Sequence, residues 1–274
     1  MYSGNPDRRP AAPVTVSRLR RMKSEGKPIA CLTAYDYSLA RVEDAAGVDF
    51  VLVGDSLGNV VQGRPTTLPV TVDDIVYHTR CVVPACERAL VVADMPFLSY
   101  TDERAALDCA ARLMKEGGAQ MVKLEGAGDQ TGIVAALARA GVPVCAHLGL
   151  QPQLVHKMGG YRVQGRDEAG ADALLAEARQ LEAAGADVLL VECIPAVLGE
   201  RLAGELAIPV IGIGAGAACD GQILVVQDVL GITPGRSPRF ARDFLADGGS
   251  IQAAIGAYVE AVRERRFPTP EHSF

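Results

Sequence analysis

The chain reads as an α/β protein, a single (β/α)8 TIM barrel. Apolar runs alternate strictly with helical patterns, and the runs are Val/Ile/Leu-rich throughout instead of alternating with polar residues. Alternation implies a parallel sheet, because a parallel return needs a crossover. Runs apolar at every position imply burial on both faces. Eight such runs recur over 274 residues, a normal length for one barrel. An open doubly wound sheet is the alternative.

The elements follow in order. Residues 1–14 read as a loose arm, and Arg18 to Lys23 (RLRRMK) as the solvated face of an amphipathic helix. Strands are expected at 28–36, 48–56, 89–97, 119–125, 142–150, 186–193, 208–213 and 222–230. Between them, Tyr37 to Ala46 is helical before Gly47. A loop with Gly58, Gly63, Pro65 and Pro69 leads to a helix capped by Thr71, with Asp73 and Asp74 in its first turn. Thr101 is expected to cap the next helix, which runs to Gly117. Further helices are expected at 130–140, 167–184 and 196–206. The phrases EGGAQMVKL, RAGVPVCAH and AAGADVLLV repeat one grammar: helix, left-handed Gly stop, strand. Residues 240–266 suggest two extra helices around Asp247-Gly248-Gly249, and no second domain is apparent within 1–274.

Bulk properties exclude several classes. With 49% hydrophobic and 22% charged residues the chain is a soluble globular type. A net charge of −6 argues against nucleic acid as a partner. No apolar run approaches the roughly 18 residues of a membrane helix. Seven cysteines, an odd number without any CxxC, read as buried thiols in a reducing cytoplasm.

The chemistry lies at the strand tips. Asp36, Asp55, Asp94, Glu125 and Glu192 close the runs PIACLTAYD, VDFVLVGDS, LVVADMPF, QMVKLEG and DVLLVEC. A charge at the end of an apolar strand costs free energy unless partnered, so acids repeated at one end suggest a gathered site. In barrels that end carries the active site. Asp55, Asp94 and Glu125 end three successive strands, about 5 Å apart, and as hard oxygen donors without a His pair they select Mg2+ or Mn2+ over zinc. For any one acid alone, a helix cap or surface pair is the simpler reading. Lys123 shares the strand face of Glu125 and suits a carboxylate, an enolate oxygen or a Schiff base. Glu192, in apolar surroundings across the mouth, suits a general base or a structural pair. His147, in VCAHLGL, is either a buried hydrogen-bonded histidine or a substrate contact.

Two motifs compete. Gly54-Asp55-Ser56-Leu57-Gly58 matches the G-x-S-x-G nucleophile elbow, but an elbow leads directly into a helix and NVVQGRPTTLP reads as loop, so Ser56 is expected as a hydroxyl donor to a bound oxyanion. Gly212, Gly214 and Gly216 in GIGAGAACDGQ fit a dinucleotide pattern only loosely, and a backbone anion cradle or a tight turn is expected instead.

The stretches LTAYDYSLA, VLVGDSLG, TLPVTVDDIVYHTR, ADMPFLSY, MVKLEG, HLGLQPQ, GGYRVQG, VECIP and IGIGAGAACDGQ occur in order from about residue 28 to 232. Together they resemble the 3-methyl-2-oxobutanoate (ketopantoate) hydroxymethyltransferase family. The resemblance implies a (β/α)8 barrel that transfers a one-carbon unit from 5,10-methylenetetrahydrofolate to α-ketoisovalerate. It implies Mg2+ among Asp55, Asp94 and Glu125, acid contacts from Asp55, Ser56, Asp94 and Lys123, and Glu192 as proton acceptor. It also implies a homodecamer. A related metal barrel that cleaves carbon–carbon or carbon–phosphorus bonds of 2-oxo acids is the second reading, and a catalytically silent metabolite binder the third.

Overall fold

The computed structural model describes residues 12–233, 235, 237–247 and 249–274. Eight parallel strands close into a barrel in chain order: β1 (Ile29–Thr33), β2 (Phe50–Val53), β3 (Leu90–Asp94), β4 (Met121–Glu125), β5 (Val144–Gly149), β6 (Val188–Glu192), β7 (Val210–Ile213) and β8 (Gly221–Leu224). Every strand residue is buried except Glu192, at the exit of β6. Each strand is shorter than its apolar run.

Helices α1 (Val16–Ser24), α2 (Tyr37–Ala46), α3 (Leu57–Val60), α4 (Val72–Val82), α5 (Glu103–Ala111), α6 (Gln130–Arg139), α7 (Val155–Met158), α8 (Glu168–Ala184), α9 (Ala196–Glu205), α10 (Val226–Val229) and α11 (Ile251–Arg263) surround it. Thr71 caps α4 as expected and also forms a capping box, with Thr71 and Asp74 bonding each other's backbone N–H. Gly185 stops α8 at φ 105°, in the left-handed region.

The barrel closes through β8 and β1. Tyr258 of α11 donates its hydroxyl to the carbonyls of Cys31 and Gln222, clamping that seam. At the N-terminal ends of the strands, Lys23 of α1 reaches Asp220 at 2.6 Å and Arg20 reaches Asp187 at 2.7 Å. The RLRRMK stretch is therefore not simply a solvated face: two of its cations neutralise acids under the barrel.

Several expectations are corrected. The run 222–230 is strand only to Leu224 and then turns into α10; an apolar run buried on all sides carries no periodicity to separate the two. Among the described residues, 240–266 hold one helix, not two. Asp243 accepts from the N–H groups of Leu245 and Ala246, making a turn where a helix was expected, and Ser250 caps α11. Asp102, not Thr101, caps α5. A short helix, α3, does follow Ser56 directly, though it lasts only four residues. β7 and β8 are joined by a turn without a helix. The expected arm lies almost wholly outside the described residues; within it, Val14 is buried and donates to the carbonyl of Arg88. All seven cysteines are free thiols.

Candidate active site

A cavity of about 840 Å³ opens at the C-terminal ends of the strands, lined by Asp55, Ser56, Asp94, Lys123, Glu125, His147 and Glu192 among others. Asp36 is not among them. It is exposed and caps α2, accepting from the N–H of Leu39.

Strand register brings the groups together. Asp94 of β3 sits level with Lys123 of β4, and Glu125 level with His147 of β5. Lys123 lies 2.8 Å from both carboxylate oxygens of Asp94 and 3.6 Å from Glu125. The backbone N–H of Asp55 donates to Asp94 at 3.1 Å. The Ser56 hydroxyl is 2.8 Å from that of Tyr35.

Gln153, which sequence reasoning missed, organises the acids. It follows β5 in a turn and is 3% exposed. Its side-chain N–H group donates to Asp55 and to the Met95 carbonyl, each at 3.0 Å. Its carbonyl oxygen accepts from Tyr100 at 2.5 Å, and its backbone N–H donates to Glu125 at 3.0 Å. The motif HLGLQPQ contains it, but nothing in the order of residues shows that an uncharged amide spans β2, β3 and β4.

His147 stands between two carboxylates. Nδ1 is 3.4 Å from Glu125 and Nε2 is 3.4 Å from Glu192. Neither nitrogen makes a well-aligned hydrogen bond, so the attraction is mainly ionic. Glu192 is placed by its backbone: its carbonyl accepts from Leu150 at 2.8 Å. A Cβ on Gly149 would lie 2.2 Å from that carbonyl, and Gly149 has φ +87°, so only glycine fits there. The next residue, Cys193, takes φ 49°, turning the chain sharply after the carboxylate.

The electrostatics follow from burial. Desolvation and the neighbouring Asp94 push the Asp55 carboxyl well above the ordinary carboxylate range. Burial raises Asp94, partly countered by Lys123. For Glu125, burial is outweighed by Lys123 and His147, and its pKa falls. For Lys123, burial is outweighed by Asp94, Glu125 and Asp55, and its pKa rises. Burial would lower His147, but Glu125 and Glu192 lift it to about 9.

The donor set suits a hard divalent cation. Asp55, Asp94 and Glu125 bring hard carboxylate oxygens to one side of the cavity, and one oxygen of Glu125 is buried without a hydrogen-bond partner among the described residues. As arranged, no three His, Cys, Asp or Glu side chains among the described residues converge tightly enough to enclose an ion. The Lys123 ammonium stands between Asp94 and Glu125.

Gly214 and Gly216 make the expected tight turn, at φ 61° and 85°, whereas Gly212 lies inside β7. Side chains crowd each of them: Cys219 at Gly212, Phe274 and Phe240 at Gly214, and Ala196 at Gly216. Phe240 and Phe274, also missed by sequence reasoning, line the cavity.

Closed barrel and rim-borne acids define a (β/α)8 enzyme whose candidate active site combines clustered carboxylates with a buried lysine. Solved barrels share the fold at low identity. Phosphonopyruvate hydrolase superposes with TM-score 0.62 at 14% identity, covering 92% of this chain and 96% of that one. Phosphoenolpyruvate phosphomutase from Streptomyces platensis gives 0.60 at 17%, covering 93% and 99%. These likenesses show the fold alone.

The chain belongs to the ketopantoate hydroxymethyltransferase family, whose model matches residues 13–270. A relative from Alkalilimnicola ehrlichii is 66% identical over 274 residues, covering 100% of this chain and 99% of the relative. One from Halorhodospira halophila is 62% identical with the same coverage. Both are named 3-methyl-2-oxobutanoate hydroxymethyltransferase.

Proposed function

We propose that this chain transfers a hydroxymethyl group from 5,10-methylenetetrahydrofolate to 3-methyl-2-oxobutanoate, giving 2-dehydropantoate on the route to pantothenate and coenzyme A. The observation that carries this is family membership over the full barrel together with the site residues: Asp55, Ser56, Asp94, Lys123, Glu125 and Glu192 all line one cavity.

In this reading Asp55, Asp94 and Glu125 hold Mg2+. Bound there, the ion supplies Lewis-acid stabilisation of negative charge on the oxo acid. Ser56 offers its hydroxyl to the acid, and Lys123 its ammonium, held close to Asp94. Glu192 removes the C3 proton as general base and faces the acid from β6, across the mouth from Asp94. His147 lies beside Glu192, its Nε2 3.4 Å from the carboxylate. The resulting carbanion forms a new carbon–carbon bond to the one-carbon unit; the unit's two bonds to the folate nitrogens break, those nitrogens take up the C3 proton and one from water, and water supplies the hydroxyl oxygen. The chain is further proposed to work in the cytoplasm as a homodecamer, a state that light scattering after size exclusion tests directly.

The reaction splits into two halves that can be read separately. Deuterium exchange at C3 of the acid needs only the base and the cation; product formation also needs the donor. Exchange is expected with Mg2+ and not with EDTA. Glu192→Gln should cut it by about 10²–10⁴ while acid binding changes by less than threefold. Exchange at the parent rate in Glu192→Gln would remove the base from this scheme.

A further inference from the structure

The acid fills only part of the cavity. A volume of about 840 Å³ lies within the roughly 300–1,000 Å³ of sites for drug-sized ligands, several times what a five-carbon acid occupies. The carboxylates Asp55, Asp94 and Glu125 lie on β2, β3 and β4. In the closed ring of eight, β7 stands opposite β3, and the wall on that side has a different character.

There the ring of Phe274 rests against Gly214, whose hypothetical Cβ would meet it at 3.0 Å, and Phe240 packs on the same glycine. The guanidinium of Arg239 lies 5.2 Å from the centroid of Phe274. Arg239 also donates to the Glu271 carbonyl at 3.1 Å. The N–H of Ala196 at the head of α9 donates to the Phe274 carbonyl at 2.8 Å, seating that residue. Arg162 and Arg166 line the same cavity. Among the described residues, none of these three arginines forms an ion pair, whereas most other arginines of the chain do.

An acidic floor on one side and an aromatic, cationic wall on the other suit two different ligands. We propose that Phe240, Phe274 and Arg239 seat the flat heteroaromatic ring of the one-carbon donor, and that Arg162 and Arg166 take its carboxylate tail. This rests on the transferase reading above and extends it to the second substrate. Aromatic faces and guanidinium planes both stack on planar rings, and guanidinium groups pair with carboxylates. The placement leaves the acid between the carboxylate cluster and the donor, with Glu192 of β6 flanking both. The glycines of GIGAGAACDGQ then have a role: Gly214 makes room for the wall.

The test is steady-state kinetics on the full-length protein, varying 5,10-methylenetetrahydrofolate and the acid separately. Phe274→Ala should raise the donor KM about tenfold, the size of one lost ring stack, with the acid KM within twofold. Phe274→Tyr should restore it. Arg162→Gln/Arg166→Gln should raise the donor KM with the same selectivity. C3 exchange in Phe274→Ala reports that the barrel is folded. An unchanged donor KM in Phe274→Ala and in the double arginine variant overturns the proposal, as does a parallel rise in both KM values. If the parent exchanges C3 hydrogen but makes no product with the donor, the transferase reading fails and this proposal with it. Product from the parent with unaltered variants overturns the donor seat alone.

Discussion

Replacing Gln153 by Met tests whether the uncharged amide holds the acids in place. The two side chains have similar length, and the site is 3% exposed, so shape is largely kept while two N–H bonds and one acceptor vanish. Asp55 and the Met95 carbonyl each lose a donor at 3.0 Å, and Tyr100 loses its acceptor at 2.5 Å. The backbone bond from residue 153 to Glu125 survives. A neutral bond contributes about 1 kcal/mol and one to a charged group about 1.5–3 kcal/mol. Partial relaxation reduces the sum, so about 2–4 kcal/mol should be lost. Urea melts read in EDTA measure it. Gln153→Glu keeps the acceptor for Tyr100 but sets a further carboxylate against Asp55. Its raised folded-state pKa means the folded form binds a proton the unfolded form lacks, so its defect should grow as pH rises. A loss under about 1 kcal/mol in Gln153→Met, or a pH-independent defect in Gln153→Glu, would refute the clamp.

Three further outcomes are expected. Glu43 is buried with both oxygens unpartnered among the described residues, and burial with Asp36 nearby holds its pKa well above the usual range; stability should therefore fall by about 1.4 kcal/mol per pH unit from its ordinary pKa near 4.3 up to the raised value, and Glu43→Gln should gain in urea midpoint at pH 8 and lose that gain below about pH 4. Gly149→Ala must push a Cβ into the Glu192 carbonyl from a left-handed φ, so C3 exchange should drop at least tenfold along with thermal stability; parent-like exchange would count against the backbone placement of Glu192. Magnesium at 100 times its Kd should stabilise the parent by about 2.7 kcal/mol, and Asp55→Asn should lose most of that gain; an equal gain in the variant would take Asp55 out of the metal site.

How far the site could be read in one dimension depended on the kind of interaction. Asp55, Asp94 and Glu125 were visible because a charge ending an apolar strand is costly wherever it occurs. Asp36 carries the same local signature, yet it caps α2; strand-tip acid and helix cap look alike until the side chain's direction is known. Gln153 was invisible because its importance lies in three bonds to residues 53 to 98 positions away. Phe274 is a seat for a ring only because Gly214 lies beneath it, a pairing no periodicity records. The barrel itself was legible, since burial on both faces leaves its mark at every strand position. The second half of the run 222–230 was not, because α10 is as apolar and as buried as β8.

The two ends of the barrel make the strongest case for chemistry at one of them. Under the strands, each of three aspartates meets a cation: Asp49 with Arg88 at 2.5 Å, Asp187 with Arg20 at 2.7 Å, Asp220 with Lys23 at 2.6 Å. At the opposite rim, three carboxylates, Asp94, Glu125 and Glu192, share Lys123 and His147. The same fold therefore demonstrates that it can neutralise acids when only stability is served. Unpaired buried charge is costly, and packing alone would remove it as readily above as below. Asp55, bonded to the Gln153 amide instead of a cation, and the unpartnered oxygen of Glu125 leave acceptors at the rim that ligands from solution can complete: a divalent cation, and an oxo acid that brings its own oxygens to that cation.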